Sequence, residues 1–466
     1  MALYALRMAP RSAASRKALN ASNLAGLGAD TLARLLVEAS AGDGGLKRRL
    51  KLELAAEVGS ADLAAEIDRR FAALANSRTR VSWRKRPELL RDLTVHRRMI
   101  VERLLPVEPV LALDRLMAWF DLYPGLAGRV KDPKGELALL YFEAAADLAE
   151  AANATGPAGV APLVEALQTR QSEWSNWIGR AAPDFRTEIA QALLDSTREG
   201  RAAPTGRLAL VVRKLADRCG DVMAWAAAIP KEDAVKPDIG AEIARRFAER
   251  GHAAEARAAL EAARPRAPEP ARWTRRNAPA PTPEPSPAWD SAEIAVLEAE
   301  GETARAQTAR WAAFERTLSG AHLDAFVSRL ADFDDVEALD RAHAIAALWP
   351  DPAAGLAFLM NRGALRDGAA MVLARSEALT LSEEDTALWA GRFEGRFPAA
   401  ALALVRRRAT GLARAGLGRS EVVRALSAEA ARLAELPGAV ATLESHAAFI
   451  DGLERLSPTA SGRGWR

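Results

Sequence analysis

The chain has 466 residues, of which 49% are hydrophobic and 27% charged, and its formal net charge is +3. That length exceeds one ordinary globular domain, unless the chain is a repeat array that grows by adding units. A single cysteine, Cys219, excludes a disulfide framework or a cysteine-based zinc site within one chain, and no apolar run approaches the ~18 residues of a membrane-spanning helix.

Composition also points to a fold class. Alanine supplies much of the hydrophobic fraction, tyrosine is scarce and β-branched runs are nearly absent. Alanine favours helix, whereas strands are rich in β-branched and aromatic residues, so we expect an all-α fold. Arginine greatly outnumbers lysine, which together with the alanine excess indicates a GC-rich bacterial genome. A single cysteine suits a reducing compartment, and we expect a cytoplasmic protein.

Residues 1–18 are basic and acid-poor, and we predict a disordered leader there, or translation that starts at Met8. Helical spacing of apolar residues then predicts an N-terminal helical array over 19–264. Its first two helices span 20–41 and 46–58, and a third begins at Ser60, which we expect to cap it. A fourth helix spans 82–105 and has Pro87 in its first turn. Its predicted core face consists of Leu89, Leu93, Ile100 and Leu104. Further helices fit 107–122, 135–152, 160–170, 172–181, 184–198, 206–218 and 221–228.

Residues 241–268 have the spacing of a tetratricopeptide-type helical hairpin. Small residues stand where the two helices would cross, with larger ones facing the partner helix and a closing proline: Ala244, Gly251, Ala256 and Ala263, then Phe247 and Leu260, then Pro268. Gly251 would supply the turn. Such a hairpin cannot bury its apolar face alone, so it predicts an α/α superhelix, a degenerate tetratricopeptide-like solenoid.

A second, degenerate copy begins at Ala292, where Gly301, Ala306 and Ala313 repeat the register. It departs from the pattern at Arg310, because a large apolar residue is expected there, and Trp311 comes one position late. The alternative for both copies is a generic alanine-rich hairpin.

Residues 265–288 are rich in proline, with eight prolines between 265 and 287, and predict a disordered linker or a long loop. A C-terminal helical array is then predicted over 289–456, followed by a disordered tail over 457–466. Its helices fit 290–300, 303–318, 321–331, 336–348, 352–362, 365–374, 383–394, 398–415, 419–435 and 439–455.

Residues that carry enzyme chemistry are sparse in this chain. No two of the five histidines stand three or four residues apart, so none forms a metal-binding helix face with another: His96, His252, His322, His343 and His446. Cys219 has no nearby histidine in the sequence to act as its base. Glycine-rich phosphate loops, GxSxG and calcium-loop spacings are absent. We therefore expect no catalytic residues, no cofactor and no metal.

The densest cluster of charge lies in residues 78–103, with nine Arg and Lys against three acids. It contains our candidate partner-binding residues, Arg78, Arg80, Trp83, Arg84, Lys85, Arg86, Arg91 and Arg98. Such cations grip phosphates or acidic peptides, and a tryptophan is available for stacking. Several of these residues also recur at i,i+3 and i,i+4 spacing with acids, which is typical of a solvated, salt-bridged helix face: Arg84, Glu88, Arg91, Arg98 and Glu102. A solvated face, an acidic-peptide docking face and a nucleic-acid face stay open.

Charge is unevenly distributed along the chain. Residues 1–105 carry 20 Lys+Arg against 11 Asp+Glu, a net +9, which leaves −6 for the remainder. This asymmetry indicates either an anionic partner for the first part or attraction between the two parts.

Three runs, over 19–55, 77–102 and 292–335, resemble an uncharacterised, mainly alphaproteobacterial family classed as a domain of unknown function. The resemblance covers roughly 18–450 and implies a cytoplasmic bacterial helical-repeat protein. It implies no established activity and no catalytic residues.

Together these observations favour a non-enzymatic α-solenoid that binds a protein or peptide partner. One alternative is a nucleic-acid-associated protein that uses the basic face over 78–103, and another is an enzyme whose site is assembled from distant helices. The sequence does not indicate an oligomeric state.

Overall fold

The computed structural model describes residues 18–198, 204–265 and 284–456. Within these ranges the chain forms helices and no β-strand, apart from one isolated bridge between Val81 and Val130, which confirms the all-α prediction. The chain divides into two compact units between Asp233 and Ala234. Most of the proline-rich segment 265–288, residues 1–17 of the leader and the whole tail lie outside the described residues, so their character stays a prediction.

The first unit contains short and medium helices joined by tight turns. They are α1 (Ala21–Ala25), α2 (Ala29–Gly42), α3 (Gly44–Val58), α4 (Ser60–Asn76), α5 (Arg86–Met99), α6 (Pro109–Asp121), α7 (Tyr123–Ala127), α8 (Glu136–Glu143), α9 (Ala145–Thr155), α10 (Val160–Thr169), α11 (Gln171–Ala181), α12 (Thr187–Arg198), α13 (Gly206–Cys219) and α14 (Val222–Ala227). Most of them pack on a helix that lies close by in the chain, as α3 on α4, α4 on α6, α6 on α9 and α11 on α13.

The centre of the first unit is an aromatic cluster on α6, α8 and α11. Trp119 and Tyr141 stack with ring centroids 4.0 Å apart, and Phe120 and Trp177 approach to 5.2 Å. All four side chains are buried, and the indole N–H of Trp119 donates to the Leu93 carbonyl at 3.1 Å. Aromatic pairs contribute roughly 0.5–1.5 kcal/mol each beyond their buried area, so this cluster ties three helices together.

The second unit continues the helical pattern. After the short α15 (Lys231–Ala234), which contains the division, come α16 (Pro237–Glu249), α17 (Ala253–Ala262), α18 (Pro287–Ala299), α19 (Thr303–Thr317), α20 (Gly320–Val327), α21 (Asp334–Ala347), α22 (Pro352–Asn361), α23 (Leu365–Arg375), α24 (Glu383–Glu394), α25 (Pro398–Leu412), α26 (Glu421–Ala434) and α27 (His446–Leu456). Neighbouring helices pack in succession, as α16 on α17 and α18, α18 on α19, and α24 on α25.

The helical hairpin predicted from residue 241 onward is present as α16 and α17. Gly251 lies between them with a φ of +80°, a left-handed conformation that glycine adopts without strain. The crossing residues Ala244, Ala256 and Ala263 are buried, as are the larger Phe247 and Leu260. Pro268, at the predicted closing position, lies outside the described residues.

The second hairpin, α18 and α19, shows how the chain accommodates its break in pattern. Gly301 makes the turn with a φ of +78°, while Ala306 and Ala313 are buried as predicted. Arg310 is only 2% exposed and is ion-paired with Glu298, and its guanidinium also donates to the Gln307 side chain at 2.9 Å. A charged residue is tolerated at this apolar position because its partners satisfy it.

Several predicted helix bounds were wrong, each for a local reason. The helix predicted over 20–41 is divided into α1 and α2, because Gly28 has a φ of +82° and stands at the N-cap of α2. Gly59, not Ser60, stands at the N-cap of α4. The stretch 82–105 begins as a turn, becomes helical only at Arg86 and ends in a π-helical turn over Ile100–Leu104. The last helix begins at His446 rather than 439, since Gly438, at a φ of +80°, opens a series of turns.

Candidate basic docking surface

Between α4 and α5 the backbone of residues 78–85 is mainly extended and turn-like. The amide of Val81 donates to the Arg129 carbonyl at 3.0 Å, and the amide of Lys131 donates to the Val81 carbonyl at 3.2 Å. The Arg129 guanidinium donates in turn to the Leu74 carbonyl at 2.6 Å, at the end of α4. These bonds anchor the exposed segment to the loop before α8 and to the end of α4.

Trp83 is the most prominent side chain of this segment. It is 61% exposed and is the one exposed tryptophan among the described residues. The Arg84 guanidinium lies over its ring, 5.2 Å from the centroid. A cation–π contact at an exposed site contributes about 0.5–1 kcal/mol, which is too little to explain why a large apolar ring faces water.

The cations that lie near Trp83 in the chain have no acidic partner among the described residues. Arg78, Arg80, Arg84 and Lys85 are exposed, and in the described part of the chain no carboxylate lies within 4.0 Å of any of them. Lys131, which the sequence analysis missed, is likewise exposed and unpaired, and the backbone bridge at Val81 brings it beside them. We call the set Arg78, Arg80, Trp83, Arg84, Lys85 and Lys131 the basic surface.

Two other predicted candidates, Arg86 and Arg98, form ion pairs with acidic side chains of the same unit. Arg86 donates from Nε to Glu136 at 2.9 Å and from Nη1 to the Lys131 carbonyl at 3.0 Å, so it ties α5 to the loop before α8. Arg98 pairs with Glu102 at 3.0 Å, the i,i+4 ion pair that the spacing predicts. Hydrogen bonding from Arg98 lowers the pKa of Glu102.

Arg91 also lies apart from the basic surface. It lines a cavity of about 230 Å³ together with Asp43 and Glu88. The predicted helical spacing between Arg84 and Glu88 is not realised, because Arg84 precedes the first residue of α5. Glu88 instead pairs with Arg48 of α3 at 3.3 Å.

The same small cavity is lined by Asp92 and His96, the buried polar pair of α5. Asp92 accepts from Arg48 Nε at 2.9 Å and from Arg70 Nε at 2.7 Å, one guanidinium on each carboxylate oxygen. Nδ1 of His96 lies 2.7 Å from the Asp92 carbonyl oxygen, and its ring packs on Phe71 with centroids 5.9 Å apart. Burial lowers the pKa of His96, so the imidazole is neutral at pH 7.

The other candidates for chemistry are isolated. Burial raises the pKa of the Cys219 thiol, which keeps it protonated, and its sulfur lies 3.9 Å from the Thr187 carbonyl oxygen. Across residues 18–198, 204–265 and 284–456 no group of three His, Cys, Asp or Glu side chains is placed to hold a metal ion. No helix in those same ranges is both long and apolar enough to cross a membrane.

Comparison with known proteins identifies a family. The model of a family described as "Family of unknown function (DUF6880)" matches residues 14–170 and again residues 152–462. No curated protein and no solved structure matches the chain.

Proposed function

The chain belongs to this family of unknown function, and we propose that it is a helical-repeat scaffold without catalytic activity that binds an acidic segment of a partner protein at the basic surface. The observation that carries the proposal is Trp83, which is exposed in a segment whose cations have no carboxylate partner in the described residues. Exposed aromatic and arginine side chains are typical anchors of protein interfaces.

The repeat character is supported by the two hairpins of the second unit. α16 and α17 turn at Gly251, α18 and α19 turn at Gly301, and α16 packs on α18. Small residues at the crossings allow close approach, as a tetratricopeptide-like stack requires. We therefore propose that the chain is a degenerate superhelical array, a class of fold that commonly presents protein-binding surfaces.

The binding free energy can be bounded from the side chains of the basic surface. Five exposed cations forming ion pairs contribute roughly 0.2–1 kcal/mol each, and an interfacial tryptophan adds about 2 kcal/mol. The sum of roughly 3–7 kcal/mol is reduced by the entropic cost of association, so the dissociation constant should not be lower than about 10 µM. Because the ion pairs are exposed, their contribution to the affinity falls as salt is added.

An acidic peptide suits this surface better than nucleic acid. Strands bound without sequence preference are usually held by several stacking aromatics along a continuous cationic groove. Here the described residues offer one exposed tryptophan, Asp132 follows directly after Lys131, and Glu136 lies five residues after it. Exposed cations close to one exposed ring in the chain, with Arg84 over that ring, fit a short segment that carries carboxylates and one apolar side chain.

We assign the Asp92 network to the support of the fold rather than to catalysis. Both oxygens of Asp92 are engaged by guanidinium groups of α3 and α4, which leaves no free carboxylate to orient a base. His96 is buried against Phe71 and bonded to its own helix, an arrangement that suits packing. The composition bias and the single cysteine support a bacterial, cytoplasmic setting.

The test measures binding of a fluorescein-labelled peptide of Glu, Asp and Leu by anisotropy at low salt. The wild type should bind it, and the variant with Arg80→Gln and Arg84→Gln, or Trp83→Ala, should bind at least fivefold more weakly. The control with Lys47→Gln and Lys51→Gln removes two exposed charges of α3 that lie outside the basic surface, and should bind as the wild type does.

The same measurement with a labelled single-stranded oligonucleotide separates the alternatives. Binding of the oligonucleotide more tightly than the peptide, with the same loss in the Arg80/Arg84 variant, would favour the nucleic-acid function instead. If the Arg80/Arg84 variant and the Lys47/Lys51 control variant bound the peptide equally well, the attraction would be nonspecific and the proposal would be refuted.

A further inference from the structure

A separate cavity of about 380 Å³ lies in the second unit, between α24, α25 and the segment that joins α23 to α24. Its charged lining is three arginines near the end of α25, Arg407, Arg408 and Arg414, and it has no acidic lining residue. The volume lies within the range of small-molecule sites.

The arginines are partly anchored and partly free. Arg407 donates from Nε to the Leu379 carbonyl at 2.9 Å, and Arg408 donates from Nη1 to the Leu381 carbonyl at 2.6 Å. A guanidinium has five N–H donors, so most donors of both residues stay available. The Nε atom of Arg408 is buried and has no hydrogen-bond partner among the described residues.

No carboxylate of the described residues compensates this charge. In the described part of the chain no carboxylate lies within 4.0 Å of any of the three guanidinium groups. Other arginines of the same unit are paired, such as Arg362 with Asp324 at 2.6 Å and Arg432 with Glu394 at 2.6 Å. The C-terminal end of α25 contributes only about −0.5 of an elementary charge, which does not balance three cations.

Leucines form the rest of the wall. Leu379 and Leu404 are buried, and Leu381 and Leu412 are half-buried. The cavity thus has an apolar surface beside its cationic one, so it is suited to a ligand with an anionic group and an apolar body.

We propose that this cavity binds a small organic phosphate, with the phosphate on Arg407, Arg408 and Arg414 and the organic group against the leucines. Arginine recognises phosphate through two parallel N–H donors, and in a partly enclosed site these charge-assisted bonds are stronger than in water. The inference concerns the second unit and does not depend on the basic surface of the first.

The test uses isothermal titration with phenyl phosphate, inorganic phosphate and phenol. We expect phenyl phosphate to bind with a dissociation constant below about 1 mM, at least tenfold more tightly than either fragment. Arg414→Gln should weaken binding about fivefold, and the double variant with Arg407→Gln and Arg408→Gln about thirtyfold. Arg424→Gln removes an exposed arginine of α26 outside the cavity and should leave binding within twofold.

The same set of variants and ligands distinguishes loss of binding from loss of folding, and a small phosphate from a lipid surface. Arg407 and Arg408 make bonds to the backbone, so the double variant can lose stability, whereas Arg414 has no such bond in the described residues and reports on ligand alone. No binding by the folded wild type, unchanged binding by Arg414→Gln, or equal binding of inorganic phosphate would overturn the proposal. Sedimentation with phosphatidic acid vesicles but no affinity for phenyl phosphate would point to a lipid surface, and would also overturn it.

Discussion

Gly355 sits where α22 crosses the end of α21, and the crossing leaves no room for a side chain. A Cβ built on Gly355 would overlap the carbonyl oxygen of Ala346, and it would lie 3.1 Å from Trp349 Cβ and 3.2 Å from Met371 Cε. The first of these atoms belongs to the backbone and cannot rotate away, so Gly355→Ala must push two helices apart.

The expected magnitude follows from two opposed effects. Alanine in a helix interior is favoured over glycine by about 1 kcal/mol, whereas overpacking a core typically costs 1–3 kcal/mol, and more against backbone. We predict a net loss of about 2 kcal/mol for Gly355→Ala, or roughly 4–8 °C in Tm for a unit of this size. Gly391, exposed in α24 with nothing within 4 Å of its built Cβ, is the matched control, and Gly391→Ala should be stabilising by about 0.5–1 kcal/mol.

The assay is urea unfolding followed by circular dichroism at 222 nm, with calorimetry as a second probe. A Gly355→Ala protein as stable as Gly391→Ala would refute the close crossing of α21 and α22. It would also remove the steric reason for a small residue in this part of the array.

Three further predictions concern the first unit and the hairpin turn. Asp92→Asn should lower the free energy of unfolding by about 2–3 kcal/mol, because it leaves Arg48 and Arg70 without their shared carboxylate. The loss is limited to this size because both guanidinium groups are partly exposed to solvent, which screens their charge. An unchanged urea unfolding midpoint would show that the Asp92 ion pairs do not stabilise the fold. His96 has a folded-state pKa lowered by burial, so the unfolded chain binds the extra proton and stability should fall as pH drops below about 6.5 towards the folded pKa; His96→Gln should flatten the difference between unfolding at pH 7.5 and pH 5. Gly251→Ala places a Cβ at a φ of +80° and should destabilise the hairpin by about 1 kcal/mol, measured as a lower Tm.

Local features of the fold could be read from the sequence. Apolar periodicity located most helices, the core face of α5 is buried as predicted, and Gly251 makes the predicted turn. Each depends on residues within a few positions of one another, where helical spacing and backbone preference act directly. Errors in helix bounds occurred at glycines such as Gly28, whose positive φ is not specified by spacing alone.

Contacts between distant parts of the chain could not be predicted from local sequence patterns. Lys131 comes beside residues 78–85 through a backbone bridge at Val81, and Arg86 is paired with Glu136, fifty residues away. The sequence showed nine cations and three acids over 78–103, but it did not show which cations the fold would neutralise. Nor did it show the arginine-lined cavity of the second unit, because that depends on which carbonyls and leucines α25 meets.

The most direct test of the proposed function places a photo-cross-linker at position 83. Trp83 replaced by p-benzoylphenylalanine is irradiated in cells that make the protein naturally, and Leu54, exposed on α3, is replaced in the same way as control. We expect a discrete protein adduct at position 83 that is absent at position 54 and is lost when Arg80→Glu and Arg84→Glu are added. An adduct that nuclease removes, an adduct insensitive to the two charge reversals, or no adduct at position 83 would contradict it.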